Sequence, residues 1–295
     1  MEDGALPRSP PQVLEIPFDR VDPLLDVLEA RVPRRAPIER IPAGREAIVF
    51  GDSHGDWPSV AAVVAKWEGA DRYLIGLGDY VDRTPRDCPA GSLVNAVFLL
   101  SLAADRPDRV FLVQGNHETT RRMPVEPESL RREVLERWGS RERYDRLLGL
   151  LERGPLAVAT DSGAYLAHGG FPRGPQPPDW STRYVARSEA ELADLVWAEC
   201  TESRAHRDVV PPWTEAELDR FLADTGLAIV LRGHDPDLTG RPLYRDRCLT
   251  LHTTRVFERY GGVIVARLPL DRPVRSVLDL TVEHLATDGR TFPTG

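Results

Sequence analysis

Nine polar residues in five short motifs hold most of the chemistry open to this sequence. Asp52 and His54 lie in Gly51-Asp-Ser-His-Gly-Asp56, and Asp79, Asp82 and Arg83 in Gly78-Asp-Tyr-Val-Asp-Arg83. Asn116 and His117 lie in Gly115-Asn-His-Glu118, His168 opens His168-Gly-Gly170, and His234 closes Arg232-Gly-His234. Carboxylate, imidazole and amide oxygen without thiolate suit borderline divalent cations such as manganese, iron, zinc or cobalt, not a cysteine-based structural zinc site. Asp52 and His54 are two residues apart, so an extended segment at a strand end turns both to one side. Glycines within the motifs permit sharp loops and close backbone approach to an ion. Taken singly, an Asp-x-His or a His-Gly-Gly is a common loop. Five such loops converging on one point are what a two-ion site requires.

The elements that must position these residues are legible as texture. Apolar runs at 47–50, 73–77 and 110–113 each end in one of the polar loops. Runs of this kind suit buried strands. Helical periods lie between them at 58–67 and 91–104. Strand, loop and helix repeated is α/β organisation, in which ligand sites gather beyond the C-terminal strand ends. One charged helical stretch is expected over 128–151, and a helix over 215–225 capped by Thr214. Further strands are expected at 156–159, 165–167, 228–231, 249–251, 262–266 and 277–282. Residues 1–46 are proline-rich and read as an irregular N-terminal arm with one short helix over 23–31. The catalytic unit is expected over 47–284, with a C-terminal tail at 285–295.

Composition narrows the function classes. The 295 residues carry 46 acidic and 38 basic side chains, a net charge of −8. An acidic chain is a poor nucleic-acid binder, because that binding runs on basic surface. The longest apolar run, 96–104, contains Ser101 and is too short to cross a membrane. The N-terminus lacks the basic start and apolar core of a signal peptide. Three cysteines cannot make a disulfide framework, so a reducing cytoplasm is expected. All basic residues but Lys66 are arginine, a bias that suits a GC-rich bacterial source.

In motif order and spacing the chain resembles the phosphoprotein-phosphatase family, the Ser/Thr phosphatases of the calcineurin-like metallophosphoesterase superfamily. That family reads GDxHG, GDYVDRG, GNHE, HGG and R-[AG]-H. The intervals here are 27 residues from Asp52 to Asp79, then 37 to Asn116, 52 to His168 and 66 to His234. Leu195-Val-Trp197 also resembles the family's Leu-Leu-Trp. The resemblance covers roughly residues 47–265. It implies an α/β fold, a four-layer metallophosphoesterase-type β-sandwich flanked by helices. It also implies two divalent ions, most simply manganese, with iron, zinc, cobalt or nickel as alternatives. Asp52, His54 and Asp79 would bind one ion, and Asp79, Asn116, His168 and His234 the other, with Asp79 bridging. Metal-activated water would be the nucleophile. Arg83 would clamp phosphate oxygens, His117 would protonate the leaving group, and Asp82 would hold His117 charged. The implied activity is phosphoric-ester hydrolysis by a bacterial-type Ser/Thr protein phosphatase on a phosphorylated protein or a small phosphoester. A dinucleoside-polyphosphate or nucleotide hydrolase of the same superfamily is the alternative. A catalytically dead relative is disfavoured, because every ligand position is filled.

Some positions depart from the family pattern. Thr84 stands where GDYVDRG ends in glycine, whereas Gly233-His-Asp-Pro236 lacks the extra histidine of other superfamily members, as phosphoprotein phosphatases do. The family's Ser-Ala-Pro-Asn-Tyr stretch is replaced by His252-Thr-Thr-Arg-Val-Phe257, with no tyrosine; Tyr260 and Arg255 are the candidate substitutes. His252 has two readings, substrate contact or structural histidine at a strand end. A second phosphate-binding arginine is expected after Trp197, and spacing does not choose between Arg204 and Arg207. Arg232 reads as structural, and His206 and His284 as surface histidines.

Overall fold

The structure, a computed structural model, describes residues 5–67, 71–204, 207–285 and 291–292. In chain order its elements are α1 (Pro10–Leu14), α2 (Val21–Arg31), β1 (Ile38–Ile41), β2 (Glu46–Phe50), α3 (Trp57–Trp67), β3 (Tyr73–Gly76) and α4 (Gly91–Asp105). Then come β4 (Val110–Leu112), α5 (Ser129–Trp138), α6 (Arg141–Leu151), β5 (Ala157–Thr160), β6 (Ala164–Ala167), α7 (Trp180–Arg183), α8 (Glu189–Val196) and α9 (Glu215–Thr225). Strands β7 (Ile229–Arg232), β8 (Cys248–Thr250), β9 (Val263–Pro269), β10 (Thr281–Leu285) and β11 (Thr291–Phe292) complete the chain.

Two mixed sheets result, β1-β5-β6-β7-β8 and β11-β10-β9-β2-β3-β4. Period-2 alternation sorts their side chains. On β2, Ile48 and Phe50 face the helices, while Ala47 and Val49 face the other sheet. On β5, Val158 joins the inter-sheet core, while Ala157 and Ala159 pack toward Leu192, Leu195 and Phe221 of α8 and α9. The architecture is therefore four layers, helix–sheet–sheet–helix. Within the sheets β2, β3 and β4 run parallel, as do β6, β7 and β8.

The N-terminal segment over residues 1–46 carries more regular structure than the one short helix expected of it. Residues 38–41 form β1, which pairs in parallel with β5. Helix α2 buries Val21, Leu24, Leu25 and Leu28 in the core shared with α4 and α6. At roughly 1.5–3 kcal/mol for each fully buried aliphatic side chain, the segment is held firmly against the rest of the fold. The prolines ended the local periodicity without ending the packing.

Other differences are local. The helical stretch 128–151 is split at Gly139, which ends α5 in left-handed backbone (φ 66°), and at Ser140, whose hydroxyl caps α6 through the Arg143 N–H. The strand expected over 277–282 begins with a 3-10 turn at Val277–Asp279, because Asp279 accepts the N–H groups of Arg275 and Ser276. The strand itself runs Thr281–Leu285. Part of the expected tail, Thr291–Phe292, pairs with it.

Candidate active site

All five motifs, and His252, follow the C-terminal ends of parallel strands: Asp52 after β2, Asp79 after β3, Asn116 after β4, His168 after β6, His234 after β7 and His252 after β8. Packing the two sheets face to face brings the two sets of strand ends together. The loops are strained there. His54, Asp79, Asp82, Arg83 and His234 all adopt positive φ, between 42° and 71°. Such backbone costs roughly 1–3 kcal/mol per residue and persists only where the surroundings enforce it.

One group of acceptors is tightly drawn. His168 Nε2 is 3.0 Å from Asn116 Oδ1 and 3.4 Å from Asp79 Oδ2. His234 Nδ1 is 3.2 Å from both Asn116 Oδ1 and His168 Nε2. His168 Nδ1 donates to the Leu77 carbonyl at 2.8 Å, which leaves Nε2 as a lone pair on the neutral ring. Donor atoms bound at about 2.1 Å and at right angles around one ion stand about 3 Å apart, so the residues fit a cation. Gly233 makes room here, since a Cβ would collide with Asp52 Oδ1. The neighbouring His234 N–H donates to that same oxygen at 3.1 Å.

A second group shares Asp79. His54 Nε2 lies 3.7 Å from Asp79 Oδ2 and 3.8 Å from Asp52 Oδ2, while His54 Nδ1 donates to the Val81 carbonyl at 2.9 Å. The Nε2 atoms of His54, His117 and His252 are buried with no hydrogen-bond partner among the described residues. Buried polar atoms rarely lack partners without a bound group to satisfy them.

The electrostatics call for positive charge. Burial pushes both carboxyls up, yet His252 and His168 draw Asp52 down to about 2, and His168 and His117 hold Asp79 well below the usual range. Burial pulls His168 down, but Asp79 and Asp52 outweigh it and push it up to about 9. His54 is pulled down to about 4, chiefly by burial. His234 is held far below its usual value by burial, then by His168 and Arg207.

His117 stands beside the shared carboxylate. Its Nδ1 bonds Asp82 Oδ2 at 2.6 Å, and its Nε2 points to within 3.9 Å of Asp79 Oδ2. Burial lowers its pKa, but the Asp79 charge and the Asp82 hydrogen bond give a net rise. Arg83 is half-buried, and its charge acts on both His54 and His117.

Of the two arginines left open by spacing, the structure brings Arg207 to the site. Its Nη1 lies 3.0 Å from His234 Nε2 and 2.6 Å from Glu199 Oε1. Arg204 is exposed, and its backbone N–H bonds Asp237 Oδ2. Arg255 is not free to replace the missing tyrosine, because it pairs with Asp56 at 2.9 Å and Asp87 at 2.5 Å. Tyr260 is exposed. An aromatic residue on this side of the site is Phe257, whose ring meets His54 and His252 edge-on, 5.4 Å from each. Arg232 is fully buried and structural, bonding the Gly169 and Ala198 carbonyls and Asp235. His284 is exposed, and His206 lies outside the described residues.

Two residues of the site were missed by sequence reasoning alone. Glu118 accepts the backbone N–H groups of Asp79, Tyr80 and Gly115 at 2.8–2.9 Å, locking two loops together. Burial and Asp79 push its carboxyl up to about 7. Its place in Gly115-Asn-His-Glu118 was a signal that could have been followed. Glu199, partner of Arg207, carries no such local signal.

The calcineurin-like phosphoesterase family matches residues 47–238. A probable serine/threonine-protein phosphatase of Encephalitozoon cuniculi is 27% identical over 231 residues, covering 74% of this chain and 49% of that relative. Serine/threonine-protein phosphatase 7 of Arabidopsis thaliana is 31% identical over 192 residues, covering 61% of this chain and 45% of that one. The chain thus spans about half the length of these relatives. A solved protein serine/threonine phosphatase from Saccharomyces cerevisiae, with similarity to human phosphatase PP5, shares the fold. Its TM-score is 0.71 at 18% identity, over 95% of this chain and 90% of that one. With the family's match extending over all five motifs, the chain belongs to the calcineurin-like phosphoesterases.

Proposed function

We propose that this protein is a bacterial-type Ser/Thr protein phosphatase, a phosphomonoesterase that works with two divalent cations, most simply manganese. The observation that carries the reading is the shared carboxylate. Asp79 Oδ2 faces His168 on one side and His54 on the other, each presenting an Nε2 lone pair. Asp79, Asn116, His168 and His234 would hold one cation, and Asp52, His54 and Asp79 the other. Bound there, the cations supply Lewis acidity, acidifying water and offsetting phosphate charge.

The chain's own residues do the rest. His117 Nε2, unpartnered and beside the shared carboxylate, is the proton donor to the leaving alkoxide oxygen. Asp82 keeps it charged and oriented. Arg83, whose charge acts on His54 and His117, and Arg207, beside His234, would supply guanidinium groups suited to phosphate oxygens. Phe257 screens His54 from water. The net charge of −8 does not oppose an anionic substrate, because two bound cations, with Arg83 and Arg207 near them, would concentrate positive charge where the phosphate lands. No described helix is long and apolar enough to cross a membrane. Three free, buried cysteines support a reducing compartment such as the cytoplasm.

The test is a substrate panel on manganese-loaded protein: phosphoserine and phosphothreonine peptides, nucleotides and dinucleoside polyphosphates. Phosphate release from the peptides, abolished by a chelator, is the expected result. Cleavage of dinucleoside polyphosphates with no release from peptides would overturn the protein-phosphatase reading in favour of a nucleotide hydrolase.

A further inference from the structure

His252 lies outside the five motifs, yet it is wired like a ligand. Its ring is fully buried, and Nδ1 sits 2.9 Å from Thr239 Oγ1. The Thr239 hydroxyl gives its single proton to the Pro236 carbonyl at 2.7 Å, so toward His252 it can only accept. Nδ1 therefore carries the proton, and on a neutral ring Nε2 is a bare lone pair. That lone pair has no hydrogen-bond partner among the described residues and stands 3.2 Å from Asp52 Oδ2. Two buried acceptors so close repel each other unless a cation or an extra proton lies between them. His54 and His168 share this arrangement: Nδ1 donates to a carbonyl, and Nε2 faces a carboxylate oxygen. Fixing a ligating imidazole through its other nitrogen is how metal sites select the tautomer.

The placement is built into the backbone. The segments carrying Asp52 and His252 pair in parallel. Thr253 N–H donates to the Asp52 carbonyl at 2.8 Å, and Gly51 N–H to Thr253 Oγ1 at 3.1 Å. A Cβ at Gly51 would collide with the Leu251 carbonyl, so only glycine allows this approach. Phe257 lies edge-on to both His54 and His252, covering the two imidazoles together.

We propose that His252 Nε2 is a direct ligand of the cation held by Asp52, His54 and Asp79, a fourth side chain at that ion. The inference rests on the two-cation reading above. An added imidazole strengthens the hold on that ion and favours nitrogen-preferring metals over magnesium.

The experiment has two arms, neither of which measures activity. First, Mn²⁺ affinities of the wild type and of His252→Ala are compared by chelator competition. The weaker variant should lose on the order of 100-fold at one site and keep the other. Second, the wild-type protein is crystallised with Mn²⁺ and the ions are located by anomalous scattering, which does not depend on the variant folding. His252 Nε2 within about 2.3 Å of the ion bound to Asp52 is the expected result. An ion on Asp52, His54 and Asp79 with His252 hydrogen-bonded to Asp52 instead, or unchanged affinity in a folded variant, overturns this inference alone. A wild-type chain that binds no Mn²⁺ overturns it together with the proposed function.

Discussion

The Asp82 carboxylate is held at both ends: Oδ2 meets His117 Nδ1 at 2.6 Å, and Oδ1 accepts the Leu130 N–H at the start of α5 at 2.8 Å. A helix N-terminus stabilises the carboxylate, and the fixed carboxylate stabilises the imidazolium.

Asp82→Asn should lower kcat by about 10²–10⁴-fold on substrates with poor leaving groups. The pH profile carries the sign. Because the His117 pKa is raised, its acid form extends to higher pH than that of an ordinary histidine and is lost as pH climbs further. The variant's alkaline limb should therefore shift to lower pH. An unshifted limb would remove His117 from the role of acid.

Chelation should abolish activity and lower the melting temperature, and Mn²⁺ should restore both. A ligand at 100 times its Kd stabilises by about 2.7 kcal/mol. The effect is expected here because the apo site keeps two carboxylates, Asp52 and Asp79, ionised in a buried cluster. Asn116→Ala should bind one cation fewer by metal analysis while remaining folded. Metal-free protein with full turnover would contradict the mechanism.

Arg207→Ala should raise KM for phosphoester substrates, whereas Arg204→Ala should leave KM near the wild-type value. The contrast follows from Arg207 reaching His234 while Arg204 is exposed. Equal effects in steady-state kinetics would count against the assignment.

Leu28→Ala, in the N-terminal layer, should destabilise the protein by about 2–5 kcal/mol in denaturant unfolding. The layer is also tied down by ion pairs from Arg143 to Asp22 at 2.5 Å and from Arg146 to Glu29 at 2.8 Å. Hydrogen bonds from these arginines lower the carboxyl pKa values of Asp22 and Glu29. Their stabilisation is therefore present above the unfolded carboxylate range, near pH 4, and fades as pH falls through the lowered values. Solvent exposure keeps it small. Arg143→Ala should flatten the acid side of the stability profile; an unchanged profile would mean the pair contributes nothing.

Sequence alone determined which polar residue types are available and that they lie at strand ends. Ligand types are intrinsic to the residues, and apolar runs ending in Gly-Asp or Gly-Asn loops put them at strand ends, where α/β sheets bind ligands. These signals are local and survive without knowledge of the fold. Helix α9 was legible for the same reason, since Thr214 and Glu217 make a capping box within four residues. Tertiary structure decided what depends on contacts across long stretches of chain. It joined β1 to β5, more than a hundred residues apart, and turned a proline-rich leader into a sheet edge and a helical cover. It chose Arg207 over Arg204 through Glu199 and His234. It also set His252 against Asp52, two hundred residues earlier. No periodicity encodes such pairs, because each is fixed by how the two sheets pack and not by the segment on which either residue lies.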